Sequence, residues 1–159
     1  YNVPGRTAKN ILPETVLRLA KEFDSIIGIK EAGNDINQYL ELINNKPEDF
    51  LIISGDDDLA LSSVIAGGDG VISVIGQAFP EKFSKMINYA LDNNPLSATS
   101  IHEQLINITS LIFRENNPAG VKSVLHEMNL CNDVLRLPLL PVSKNLRSEI
   151  LVELNNLKL

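Results

Sequence analysis

Only one of the 159 residues is a cysteine, Cys131. An intrachain disulfide is therefore impossible, and the fold has to be held by its core, as suits a reducing compartment. Long apolar runs are also missing: none approaches the roughly 20 residues that span a bilayer, and no signal-peptide pattern opens the chain. The expectation is a cytoplasmic protein with no membrane partner. Basic residues are outnumbered, 14 against 20 acidic, for a formal charge of −6. Without a basic excess, nucleic acid and anionic lipid are poor partners. The two histidines, His102 and His126, lie far apart with no ligand-like spacing, so no metal is expected. No internal repeat or low-complexity segment is found.

What is present is a globular composition, 44% hydrophobic and 21% charged, with enough chain for a real core. From residue 11 to 92, short apolar runs alternate with helical patterns. "LPETVLRLAKEF" places Pro13 where a first helical turn accepts it, with Val16, Leu19, Ala20 and Phe23 at helical spacing. "IIGIK" is short and β-branched, a strand. "NDINQYLELIN" reads as a helix with Ile36, Tyr39, Leu40 and Ile43 on one face, and Asp35 with Gln38 resembles a capping box. "FLIIS" is a second strand. "DDDLALSSVIAGG" is a helix with acids at its positive end, and "GVISVI" is a third strand. "PEKFSKMINYALDNN" is a helix with Phe83, Met86, Ile87 and Ala90 on one side. This rhythm indicates parallel strands with both sheet faces covered. Beyond Pro95 the strands stop, and residues 96–116, 119–129 and 143–157 read as helices. An α/β part over 1–94 thus precedes a helical part over 95–159.

Two parallel-sheet architectures compete, an open doubly wound sheet and a closed (β/α)₈ barrel. A barrel usually takes about 250 residues, so length alone favours the open sheet.

Reactive groups in such folds collect where strands end. In "IIGIKEAGN", residues 26–34, Lys30 closes an apolar run just before a turn. Spacing alone favours a lysine turned outward and paired with an acid. The alternative is an amine held inside a barrel mouth, free to attack a carbonyl and form a Schiff base. "YNVPGRT" opens the chain with a tight loop at Pro4-Gly5, a phenol at Tyr1 and a planar cation at Arg6. Taken alone, these are a terminal tyrosine packed on the core and a surface arginine.

Other motifs carry less. Asp56, Asp57 and Asp58 open a helix and read as caps rather than as a cation site. "GGDG", residues 67–70, precedes a strand and reads as a helix stop and turn rather than a phosphate loop. Cys131 reads as a packed thiol. "NIT", residues 107–109, falls inside a helix and is discounted as a glycosylation acceptor.

Taken in order, "YNVPGRT", "IIGIKEAGN", "SGDD" and "GGDGVISV", with "NPAGVKSVLHEMNL" and "LRLPLLPVS" in the tail, resemble the pyruvate-dependent class I aldolases of the dihydrodipicolinate synthase and N-acetylneuraminate lyase family. Asn2 with Arg6-Thr7 resembles the synthase branch. The resemblance implies the second half of a (β/α)₈ barrel followed by a C-terminal helical domain. It implies that Lys30 forms a Schiff base with pyruvate and that Tyr1 relays protons beside the imine. Arg6 would meet the carboxylate of aspartate semialdehyde, and Ile72 would bring its backbone carbonyl near the lysine. No cofactor is implied. Glu31 is expected to pair with a basic group below the site. The chain departs from the family pattern after Ala32, where a hydroxyl residue usually precedes Gly-Asn. It would begin at the end of strand five, leaving a missing N-terminal half to supply the pyruvate-carboxylate threonines and a second relay tyrosine, so that residues 1–159 alone would be inactive. A homo-oligomer, dimer or tetramer, is expected. Two other readings stand beside this one: a related aldolase acting on a sugar acid, and a non-catalytic half-barrel that serves assembly.

Overall fold

Proline marks the helix starts. Pro4, Pro13, Pro80 and Pro95 each open a helix, where a missing N–H costs nothing and the fixed φ is already helical. The computed structural model describes residues 1–157. Its elements are α1 (Pro4–Thr7), α2 (Pro13–Glu22), β1 (Gly28–Glu31), α3 (Ile36–Asn45), β2 (Leu51–Ser54), α4 (Ala60–Ile65) and β3 (Gly70–Val71). A single 3₁₀ turn (Ile75–Gln77) follows, then α5 (Pro80–Leu91), α6 (Pro95–Phe113), α7 (Ala119–Glu127) and α8 (Lys144–Asn156). No helix among the described residues is long and apolar enough to cross a membrane.

The chain divides into two compact units. The first comprises Tyr1–Ser73 with Lys85–Thr99, and the second Val74–Ser84 with the residues from Ser100 onward.

In the first unit the strands are parallel and ordered β1-β2-β3. Lys30 stands opposite Ile53, and Ile53 opposite Gly70. Asn2 extends the ladder on the free side of β1: its N–H donates to the Lys30 carbonyl at 2.9 Å, and the Ala32 N–H donates to the Asn2 carbonyl at 2.8 Å. Order in space therefore equals order in the chain, from residue 2 to β3. A doubly wound sheet reverses its order at a switch point. Here each crossover adds its strand on the same side, which is the winding of a (β/α)₈ barrel. Length alone had pointed the other way.

Alternation along the strands divides their side chains between two faces. Ile29 and Ile52 face the helices and join Val16, Tyr39, Leu42 and Phe50 in one buried cluster, with Ile11, Leu17, Ile36 and Ile43 packed against it. Lys30, Leu51 and Ile53 lie on the opposite face.

Several elements differ from the sequence reading. β1 begins at Gly28, leaving Ile26 and Ile27 outside it and exposed. The third strand has two residues instead of six, because the chain leaves the ladder after Val71 and tightens into the 3₁₀ turn. The expected loop at Pro4-Gly5 is a short helix that ends with Ala8 in the left-handed region at φ 54°. In α3, Leu42 is fully buried and Leu40 is exposed. α4 starts beyond the aspartates. Asp56 precedes it, and its Oδ1 accepts from the N–H groups of Asp58 and Leu59 at 2.9 and 3.0 Å.

The second unit is helical. Leu105, Ile108, Ile112, Val121, Val124, Leu146 and Ile150 are buried in it. Arg147 on α8 holds Glu127 at 2.6 Å and Asp133 at 3.2 Å. Ser143 caps α8, accepting from the Leu146 N–H at 3.2 Å, and donates both its N–H and its hydroxyl to Glu115. Cys131 is exposed, contrary to the packed thiol expected. It lies on the connector between α7 and α8, and its carbonyl faces His126 Nδ1 at 3.2 Å.

Candidate active site

Lys30 stands one residue before the carboxyl end of β1 and Tyr1 one residue before Asn2, on the neighbouring ladder position. Consecutive residues in extended chain point to opposite faces. Asn2 and Glu31 share the helix-facing side, so Tyr1 and Lys30 share the other. The Lys30 Nζ lies over the Tyr1 ring, 4.3 Å from its centroid, within the range where a ring face attracts an ammonium. The Tyr1 side is open, with 63% of the residue exposed.

The lysine needs space, and Gly55 provides it. A Cβ at residue 55 would stand 2.6 Å from Lys30 Cε and 3.0 Å from its Cγ. Gly55 also ties β2 to β1, its N–H donating to the Glu31 carbonyl at 2.6 Å.

Behind the lysine lies a buried polar network. Glu31 has no exposed surface. Asn2 Nδ2 donates to its carboxylate in a forked contact, 2.9 Å from each oxygen, and gives its other hydrogen to Asn10 Oδ1 at 2.7 Å. The carboxylate also accepts from Gln38 Nε2 at 2.8 Å and from the Gly33 N–H at 2.6 Å. All of these donors are neutral amides, so the basic partner expected for Glu31 is replaced by three uncharged groups. Gln38 therefore does not complete the capping box. Asp35 caps α3 alone, accepting from the Asn37 N–H at 2.9 Å. Gly33 lies against the same carboxylate, and a Cβ there would stand 2.8 Å from Glu31 Oε1 and press on it.

Tyr39 closes the network from α3, its hydroxyl donating to the Glu31 carbonyl and lying 3.3 Å from Ser54 Oγ. Burial pushes the Tyr39 phenol up to about 12. The negative charges of Glu31 and Asp56 act in the same direction, and the hydrogen bond with Ser54 opposes them.

The remaining candidates fall elsewhere on this unit. Ile72 follows β3 directly, its N–H donating to the Ser54 carbonyl at 2.8 Å and its side chain 53% exposed. Arg6 lies on α1, with its side chain exposed. The "GGDG" turn serves structure: Asp69 accepts from the Ile52 N–H at 2.8 Å and pairs with Lys46 at 3.2 Å.

Of the residues the sequence singled out, the structure brings Lys30 and Tyr1 together; Gly55 and the donors to Glu31 were not among them. The signal for the latter was available. A carboxylate on a residue adjacent to an inward-facing one must point into the helix layer, where Asn2 and Gln38 are polar residues at matching positions.

Chemically, the arrangement offers a primary amine at a strand end, a phenol against it, and a glycine whose missing side chain leaves room for the lysine stem. The family model described as the dihydrodipicolinate synthetase family matches residues 1–157. The chain is 50% identical over 150 residues to a 4-hydroxy-tetrahydrodipicolinate synthase of Flavobacterium psychrophilum, covering 94% of this chain and 51% of that protein. It is 46% identical over 159 residues to the synthase of the same name from Phocaeicola vulgatus, covering 100% of this chain and 54% of the relative. Among solved structures, dihydrodipicolinate synthase of Thermotoga maritima superposes with a TM-score of 0.96 at 35% identity, over 99% of this chain and 55% of that one. The chain spans about half the length of the curated relatives it matches.

Proposed function

Because the chain belongs to the dihydrodipicolinate synthetase family, we propose that it carries the lysine-bearing part of a site that condenses pyruvate with aspartate semialdehyde. The product would be 4-hydroxy-tetrahydrodipicolinate. The observation that carries this reading is the Lys30 amine at the carboxyl end of a parallel strand, against the open phenol of Tyr1.

In this reading the Lys30 amine adds to the keto carbon of pyruvate and water leaves, giving a protonated imine. That imine takes up the electron pair released when a methyl proton is removed, and the resulting enamine attacks the aldehyde carbon of the second substrate. The semialdehyde's own amine then displaces Lys30 and closes the ring. Tyr1 passes protons beside the imine. Arg6 receives the carboxylate of the semialdehyde in a forked, charge-assisted hydrogen bond. The Ile72 carbonyl faces the lysine. The rest of the barrel supplies the pyruvate-carboxylate contacts, and the enzyme works as a homo-oligomer in the cytoplasm. The synthase names of the relatives favour this reading over a sugar-acid aldolase or a non-catalytic assembly module.

The test is reductive trapping. The native protein is incubated with pyruvate and borohydride, digested and mapped by mass spectrometry. A reduced pyruvyl adduct on Lys30 is expected. An adduct on Lys122, or none, overturns the proposal.

A further inference from the structure

Lys30 and Tyr1 belong to separate segments, and the Tyr1 ring is largely open. Besides the two backbone bonds that join Asn2 to β1, a side-chain anchor holds the ring over the amine from the other face of the ladder. Residues 1 and 2 are consecutive, as are residues 30 and 31, so an anchor between Asn2 and Glu31 fixes the relative height of Tyr1 and Lys30. That anchor is one Asn2 Nδ2–H shared between the two Glu31 oxygens, 2.9 Å from each. Asn2 is itself held by its bond to Asn10 Oδ1 at 2.7 Å and by accepting the Ile11 N–H at 3.1 Å. Gln38 and the Gly33 N–H hold the carboxylate from the other side.

A neutral amide would be cheaper to bury than this carboxylate. An ionised carboxylate, however, is acceptor-only and can accept from all three donor groups, Asn2, Gln38 and the Gly33 N–H, at once. A glutamine would turn its own NH₂ against one of these donors. We infer that Glu31 is a positioning residue, acting through Asn2 to keep the Tyr1 ring over Lys30 for the imine chemistry. The catalytic part of this inference rests on the proposed condensation, but the geometric part does not.

Two measurements separate the two. In the native protein with lysine labelled at ¹³Cε, the Lys30 methylene is assigned with Lys30→Arg, and the ring-current displacement is defined by its loss in Tyr1→Ala. Glu31→Gln is expected to remove most of that displacement. Gln38→Met, at a half-buried position, removes one donor with less risk to folding and is expected to move the resonance part of the way. A displacement unchanged in both variants overturns the inference. For catalysis, Glu31→Gln is expected to lower kcat by about tenfold to a hundredfold, the scale of a misplacement near 1 Å, with the pyruvate KM little changed. In a Tyr1→Phe background, the same substitution is expected to cost almost nothing further. A full, additive loss in that background overturns the positioning role. If the displacement behaves as expected but pyruvate is never trapped, the geometry stands and the condensation reading falls.

Discussion

Replacing Gly55 with alanine separates the needs of the fold from those of the amine. The new methyl would sit 2.6 Å from Lys30 Cε, 3.0 Å from Lys30 Cγ and 3.0 Å from Ala32 Cβ. Carbon atoms rest at about 3.5–4.0 Å, so the lysine stem must move by roughly 1 Å. The atom most crowded is near the tip of a flexible side chain, which can swing away at little cost. Overpacking usually costs about 1–3 kcal/mol, and the lost freedom of the unfolded chain returns about 0.4–1 kcal/mol. The expected net destabilisation is thus between about 0 and 2.6 kcal/mol. The amine fares worse, since a 1 Å displacement costs on the order of a hundredfold in rate. The assay pairs single-turnover trapping by pyruvate and borohydride with a urea unfolding curve on the same preparation. A trapping rate within twofold of the parent, at unchanged stability, would refute the claim that Gly55 makes room for the reactive amine. A collapse of both would show instead that the glycine serves the fold.

Two further predictions concern ionisation. Tyr39, with its phenol at about 12 against an ordinary 10.0, contributes stability that is complete below pH 10 and lost as pH rises through 12, because the unfolded chain ionises first. Over that interval the parent should lose about 2–3 kcal/mol more than Tyr39→Phe; parallel unfolding curves from pH 9 to 12 would rule this out. In the helical unit, hydrogen bonds from Ser143 hold the Glu115 carboxyl below its ordinary value, so that contribution is present at neutral pH and lost as pH falls through the depressed value. Ser143→Ala should move the Glu115 titration, followed by NMR, back up toward the usual carboxylate range. It should also cost about 1 kcal/mol through the lost cap of α8, and an unmoved titration would contradict the assignment.

Much of the fold was legible in the chain itself. Proline at the starts of α2 and α5, apolar residues at helical spacing, and β-branched runs before glycine turns are local signals, read within a few residues. They located α2, α3 and both longer strands to within two residues and α5 to within three, and they put Lys30 at a strand end. The family resemblance then added the expectation that spacing left open, a Schiff-base role for that lysine. The winding of the sheet was not legible, because strand order depends on which side each crossover falls, and both candidate architectures share the same local pattern. Nor was the end of β3, where pairing stops after Val71 although the apolar residues continue. The same limit applies to the site. That Tyr1 lies against Lys30, that Gly55 clears its stem, and that Glu31 takes neutral donors from Asn2, Gln38 and Gly33 are decided by the register between strands and by the packing of α3. A sequence states which residues alternate along each strand, whereas only the assembled sheet sets which residue of one strand stands beside which residue of the next.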